Sequence, residues 1–133
     1  MSDPFEIERL TSRPQFLAAA KGVSEARGAV VVQRLDRQDG TSTVGLGFTA
    51  TRKVGNAVIR NRAKRRLREA ARATVPLLAV PGSDYVFIAR MGTADRPWDR
   101  LLDDVKSALT RLATPRSAPR PAPPQPASAG QDS

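Results

Sequence analysis

The sequence predicts an α+β fold, a two-layer sandwich in which helices cover one or both faces of a small mixed sheet. Residues 29–35 and 84–91 are apolar and rich in β-branched side chains, as strands are, and residues 42–50 alternate apolar with small residues. Helical periodicity starts near Pro14, Ala57 and Pro97. The expected order is α-β-β-α-β-α, with room for one further strand before the second helix.

The length and composition predict a single domain, expected over residues 1–113, and exclude several kinds of catalytic site. The 133 residues include no cysteine and no histidine, which excludes disulfides, a thiolate nucleophile and the commonest general base. No apolar run approaches the roughly 20 residues of a membrane span, and the acidic start MSDPFEIE is unlike a signal peptide. We therefore expect a cytoplasmic protein.

The first elements follow from capping and turn residues. Residues 1–8 are expected to be loose. Ser12 and Gln15 have the spacing of a capping box, so a short helix is expected over 14–21, ended by Gly22. A strand over 29–35 and a turn over 37–40 follow.

The second strand, 42–50, has two unlike faces. Val44, Leu46 and Phe48 alternate with Gly45, Gly47 and Thr49. The first three side chains are expected in the core. The glycine face either lets a ligand backbone approach closely or is filled by a bulge or a covering helix.

The last elements close the domain. Val75 and Pro76 are expected to end the second helix, and residues 84–91 form a strand buried on both faces. The helix over 97–113 carries an apolar stripe that we assign to the core: Trp98, Leu101, Leu102, Val105, Ala108, Leu109 and Leu112. Residues 114–133 hold six of the 11 prolines and are expected to be a disordered tail.

Positive charge is concentrated in residues 52–72, within and just before the second helix. The chain has a net charge of +9, and this stretch contains nine cations and one anion, Glu69. Asn56 is the expected N-cap. Small apolar residues fall on one side of the helix and cations on the other. A solvated surface would carry mixed signs, and a membrane-surface helix would carry large apolar residues, so nucleic acid is the favoured partner.

The residues that follow this pattern resemble a known family. The run TRKVGNAVIRNRAKRRLREA is similar to the signature of bacterial ribonuclease P protein subunits, including Arg60, Asn61 and Arg62. The upstream RL…FL, the strand end LGFTATRK and PGSDYVFIAR with its leucine-rich helix occur in the same order. The resemblance covers residues 9–112.

The resemblance implies a cofactor protein for a catalytic RNA. That RNA, with Mg²⁺, removes the 5′ leader of precursor tRNA, and the protein supplies no catalytic residue and no metal ligand. It also implies a fold similar to the second domain of a small-subunit ribosomal protein, with a left-handed β-α-β crossover, whereas a right-handed one is the default.

Site residues are carried over by position. The RNA-binding set implied is Arg52, Lys53, Asn56, Arg60, Asn61, Arg62, Lys64, Arg65, Arg66, Arg68 and Arg72. The cleft for the single-stranded leader would use Phe16, Gln33, Phe48, Thr49, Arg60 and Asn61. Ala20 stands where family members often carry a second aromatic residue, and some members carry a tyrosine near Gln33 that this chain lacks. Leader stacking is therefore expected to be weaker by about 1–3 kcal/mol per lost platform.

Two other classes remain open from the residues. A ribosomal or ribosome-assembly protein would share the basic helix. A DNA-binding module fits less well, because no helix-turn-helix pair or dimerisation element accompanies that helix.

Overall fold

The computed structural model describes residues 5–113, which form one five-stranded sheet and three α-helices. The elements are β1 (Ile7–Arg9), α1 (Arg13–Ala20), β2 (Val23–Arg27), β3 (Val30–Asp36), β4 (Val44–Ala50), α2 (Ala57–Leu78), β5 (Ser83–Ala89) and α3 (Trp98–Ala113). Short 3₁₀ turns at Arg52–Val54 and Thr93–Asp95 precede α2 and α3. The expected tail over 114–133 lies outside the described residues.

The sheet is mixed, with strand order β1-β4-β5-β3-β2. β1 pairs with β4 and β4 with β5 in parallel, whereas β3 pairs antiparallel with β5 and with β2. Because β4 and β5 are adjacent and parallel, α2 is their crossover helix. The left-handed sense of that crossover stays a prediction from the resemblance.

Helices cover both faces of the sheet unequally, which confirms the α+β sandwich. On the α2–α3 face, those two helices and the sheet enclose the main core around Leu67, Phe87 and Leu109. On the α1 face, the short helix α1 covers a small cluster of Leu10, Ala19 and Val86. Among the described residues, no helix is both long enough and apolar enough to span a membrane.

The N-terminal expectation was wrong in part. Phe5 is buried, and Ile7 pairs with Val44 in the first strand. The alternation of Phe5 and Ile7 with Glu6 and Glu8 is a strand signal, but three residues form a strand only because β4 supplies the hydrogen bonds.

The expected end of α2 was also wrong. The helix continues through Pro76 to Leu78, and the N–H of Ala79 still donates to the carbonyl of Val75 at 3.0 Å. Proline removes one backbone donor, but Leu78 and Ala79 pack against the core beyond it. Their burial offsets the lost hydrogen bond.

Tyr85 gives a first testable prediction. This single tyrosine is fully buried, and its hydroxyl accepts a hydrogen bond from the N–H of Val80 at 2.8 Å. Burial raises the pKa of Tyr85. The folded state therefore holds its proton when the unfolded chain has lost it, so this residue's contribution to stability is complete below about pH 10 and declines above it. Ultraviolet titration of the folded protein should show a tyrosinate midpoint above that of free tyrosine. A midpoint at the free value would contradict the buried environment.

Candidate nucleic-acid interface

The turn before α2 presents two cations and fixes the start of the helix. Val54 is buried, whereas Arg52 and Lys53, the two residues before it, are exposed. Gly55 has φ 148°, and the Oδ1 of Asn56 accepts a hydrogen bond from the N–H of Ile59 at 3.0 Å. The predicted N-cap is therefore confirmed.

Small residues let α2 lie close against the sheet. Its buried positions are Ala63, Leu67, Ala70, Ala71, Thr74 and Val75. The Oγ1 of Thr74 donates to the carbonyl of Ala70 at 2.8 Å, which satisfies a hydroxyl that the core would otherwise leave unpaired. The separation of a buried apolar side from a cationic side agrees with the sequence prediction.

The cations of the turn and helix remain accessible. Arg52, Lys53, Arg62, Arg65 and Arg72 are exposed, and Arg60, Lys64, Arg66 and Arg68 are half-buried. The predicted polar members of the interface, Asn56 and Asn61, are exposed as well. All eleven sequence-predicted RNA-binding residues thus lie on one continuous segment whose side chains reach solvent.

Acidic neighbours neutralise little of this charge. Arg62 lies 3.5 Å from Asp95, and Arg72 lies 3.3 Å from Glu69, both between solvent-exposed side chains. Within residues 5–113, the other seven cations of the segment have no carboxylate at ion-pair distance. Exposed pairs are worth about 0–1 kcal/mol, so the segment keeps a strong positive potential that attracts a polyanion.

Arg66 differs from the other cations because it also fastens α2 to the start of α3. Its Nη1 donates to the carbonyl of Thr93 at 2.8 Å, and its guanidinium carbon lies 5.9 Å from the ring centroid of Trp98. Trp98 is 42% exposed, so its assignment to the core was wrong. Trp98 is the first residue of α3, and the buried part of the apolar stripe begins at Leu101.

Acidic residues elsewhere in the fold form ion pairs with arginines that lie outside the α2 segment. Arg37 contacts both Asp84 and Asp39, at 2.6 and 2.8 Å, and joins the β3–β4 turn to β5. The Arg37 guanidinium, with hydrogen bonds from Thr41, lowers the pKa of Asp39 to about 2. Among the described residues, the acids that pair most closely therefore do so away from the cationic side of α2.

The residues predicted for a leader cleft divide between the two faces of the sheet. Gln33 pairs with Val86, and Thr49 pairs with Ile88, so both lie on the α1 face. Phe16 of α1 lies there too, half-buried. Phe48 points to the α2–α3 face, where its ring stacks on Phe87 at 5.3 Å.

The structure thus does not bring Phe48 together with the other predicted cleft residues. Neighbouring residues of a strand point to opposite sides, so the alternation that placed Phe48 in the core could have separated it from Thr49. Arg60 and Asn61 lie in the first turns of α2, beyond the end of β4.

The bare face of β4 is covered at Gly47 by Phe16 of α1, and at Gly45 by Leu10 and by Asp84 of β5. A β-carbon added at Gly47 would lie 2.6 Å from Cε1 of Phe16, and one added at Gly45 would lie 2.6 Å from Cδ2 of Leu10. Of the alternatives that the sequence left open, a covering helix is confirmed at Gly47 but not at Gly45. Gly47 sets how closely the Phe16 ring approaches the sheet.

The site therefore defines a class: an α+β protein that presents one cationic crossover helix and its preceding turn to a polyanion. The chain belongs to the ribonuclease P protein family, whose model, Ribonuclease P, matches residues 6–113. It is 62% identical over 108 residues to the ribonuclease P protein component of Caulobacter vibrioides, covering 81% of this chain and 72% of that one. It is 49% identical over 112 residues to the component from Ruegeria pomeroyi, covering 83% and 90%.

Solved structures agree with this assignment. The ribonuclease P protein of Thermotoga maritima superposes with a TM-score of 0.66 at 28% identity, covering 77% of this chain and 96% of that one. The protein from Staphylococcus aureus gives a TM-score of 0.66 at 26% identity, covering 78% and 94%.

Proposed function

We propose that this protein acts as the RNA-binding subunit of a ribonucleoprotein that removes the 5′ leader of precursor tRNA. The observation that carries the proposal is the seven cations, on α2 and the turn before it, that lack a carboxylate neighbour within residues 5–113. The turn and the solvent-facing side of α2 would bind the phosphates of a catalytic RNA subunit. Each phosphate contact releases condensed counterions, which gives affinity without base specificity.

The chemistry is assigned to the RNA. Hydrolysis of a phosphodiester needs an activated water and stabilisation of the charge that develops on phosphorus. Among the described residues, no group of three or more His, Cys, Asp or Glu side chains is placed to hold a metal ion. Asp104 is already bound by Arg96 at 2.9 Å and by the N–H of Ala29 at 3.0 Å. In this proposal Mg²⁺, which would activate the water, is held mainly by the RNA subunit and the substrate.

The protein's own contribution is binding and positioning. Arginine side chains on α2 would lower the repulsion between RNA subunit and precursor tRNA, two polyanions that must approach closely. On the α1 face, Phe16 would stack on the leader while Gln33 and Thr49 contact it through hydrogen bonds. Among the described residues, Phe16 is the one aromatic on this face, so backbone electrostatics would carry more of the leader affinity than stacking.

The RNA that copurifies with the full chain from cells tests this proposal. We expect one species of a few hundred nucleotides that cleaves precursor tRNA when recombined with the protein. Recovery of ribosomal RNA instead would favour the alternative of a ribosomal or ribosome-assembly protein. Arg100 of α3, exposed and outside the interface, provides a control: Arg100→Gln should recover the same RNA.

A further inference from the structure

A groove opens on the α2–α3 face at the β1 edge of the sheet. It has a volume of about 410 Å³ and lies between β1, β4 and α2, within the roughly 300–1,000 Å³ typical of small-ligand sites. The floor is apolar and includes Ile7, Phe48 and Pro76, while Arg9, Arg68 and Arg72 border it. The sequence could not indicate this groove, because its outer wall is the strand that was expected to be loose.

The floor presents an aromatic ring that the core does not fully cover. Phe48 is half-buried, and its ring stacks on Phe87 with an interplanar angle of 18°. The guanidinium carbon of Arg68 lies 6.0 Å from the Phe48 centroid, at the outer limit of a cation–π contact. A flat ring and a flat cation therefore border the same apolar space, an arrangement that suits a planar ligand.

The cations that border the groove have few acidic partners among the described residues. The Nε of Arg68 is buried and has no hydrogen-bond partner in the part of the chain that the structure describes, which is costly for a charged donor. Within residues 5–113, Arg9 and Arg68 have no carboxylate at ion-pair distance, and Arg72 has only the exposed contact with Glu69 at 3.3 Å. Three cations around an apolar floor are complementary to a ligand that combines an anion with a flat, apolar ring.

We propose that this groove binds one unpaired nucleotide of the RNA subunit, an inference that rests on the proposed function. Its base would lie against Phe48, Ile7 and Pro76, and its phosphate would accept hydrogen bonds from Arg9, Arg68 and Arg72.

The RNA subunit is the occupant because of where the groove lies. The sheet separates it from the α1 face, which carries Phe16, Gln33 and Thr49. It is continuous with the solvent-facing cations of α2, since Arg68 and Arg72 belong to both surfaces. An RNA docked along α2 can therefore place an extruded base in the groove without reaching around the sheet.

Chemical probing of the cognate RNA subunit bound to the full-length protein tests the assignment. We expect one or two adjacent unpaired nucleotides to be protected by the wild-type protein and to become reactive again with Phe48→Leu and with Arg68→Gln. Each variant should raise Kd by about 5- to 150-fold, the range measured for loss of one stacked base. Arg100→Gln removes the same charge outside the groove and should leave that protection in place.

The outcomes separate the two proposals. Binding of RNA by all variants with unchanged protection would overturn the groove assignment alone. Protection that appears only after precursor tRNA is added would place the leader there and would also overturn it. Failure of the wild-type protein to bind the RNA would overturn both proposals. Melting temperatures accompany each variant, and if Phe48→Leu unfolds the core, Arg68→Gln at the groove border decides the test.

Discussion

Replacing Arg62 and Arg65 together with alanine should weaken RNA binding by about 10- to 100-fold near 0.1 M salt, because each lost phosphate contact forfeits roughly 0.7–0.9 of a released counterion. Both side chains are exposed, and the ion pair of Arg62 with Asp95 joins side chains that are 50% and 84% exposed. The folded state loses little when they are removed, so the melting temperature should change by no more than a few degrees. Binding measured across a salt series checks both parts.

The salt series also gives the number of contacts. If about six cations reach phosphates, the wild-type slope of log K against log salt is roughly −4 to −5, and the double variant's slope is smaller in magnitude by about 1.4–1.8. The control removes the same charge from α3, with Arg100→Ala and Lys106→Ala, both exposed. Equal losses of RNA affinity in the two double variants would show that α2 is not the RNA-binding surface. Unfolding of the variant with Arg62→Ala and Arg65→Ala would instead assign these arginines a structural role.

Replacing Gly47 with alanine should weaken binding of the precursor leader by at least about 5-fold, the lower end of what one stacking platform contributes. The new β-carbon would lie 2.6 Å from Cε1 and 2.8 Å from Cζ of Phe16. These are the far end of a side chain, so the ring moves outward while the strand stays paired. Affinity for precursor tRNA with and without a leader is the measurement.

Two controls distinguish displacement of the Phe16 ring from a general loss of folding or RNA binding. Affinity for the RNA subunit should be unchanged, since Gly47 lies on the α1 face and the cations of α2 are untouched. Phe16→Ala should give a similar loss of leader affinity, and combining it with Gly47→Ala should add little. Full leader affinity in Gly47→Ala would remove Phe16 from the leader site.

Elements with strong local signals could be predicted from the sequence. β3 and β5 are β-branched and buried, and Asn56 caps α2 where the spacing placed it. β1 and β2 were harder to predict. β1 becomes a strand by pairing with β4, which is remote in the chain, and β2 pairs with β3 although its own side chains are exposed or half-buried. The C-terminal end of α2 depended on packing of Leu78 against a core that no local pattern describes.

The candidate site shows the same division. Charge can be counted along a sequence, so the sequence located all nine cations of residues 52–72, and the structure leaves them accessible. Which face a side chain occupies depends on register, and Phe48 was therefore grouped with Phe16 although the sheet separates them. The groove beside Phe48 needs β1, so nothing local to residues 48–72 could have revealed it.

The proposed function requires that the α2 segment binds an RNA and that this RNA, rather than the protein, cleaves the phosphodiester bond between the leader and the tRNA. The most direct test is cleavage of precursor tRNA at low Mg²⁺ by the purified protein, by the cognate RNA, and by both together. We expect no cleavage by the protein alone, little by the RNA alone, and leader removal by the mixture, lost again with Arg62→Ala and Arg65→Ala. Cleavage by the bare protein, with contaminating nuclease excluded, would contradict it.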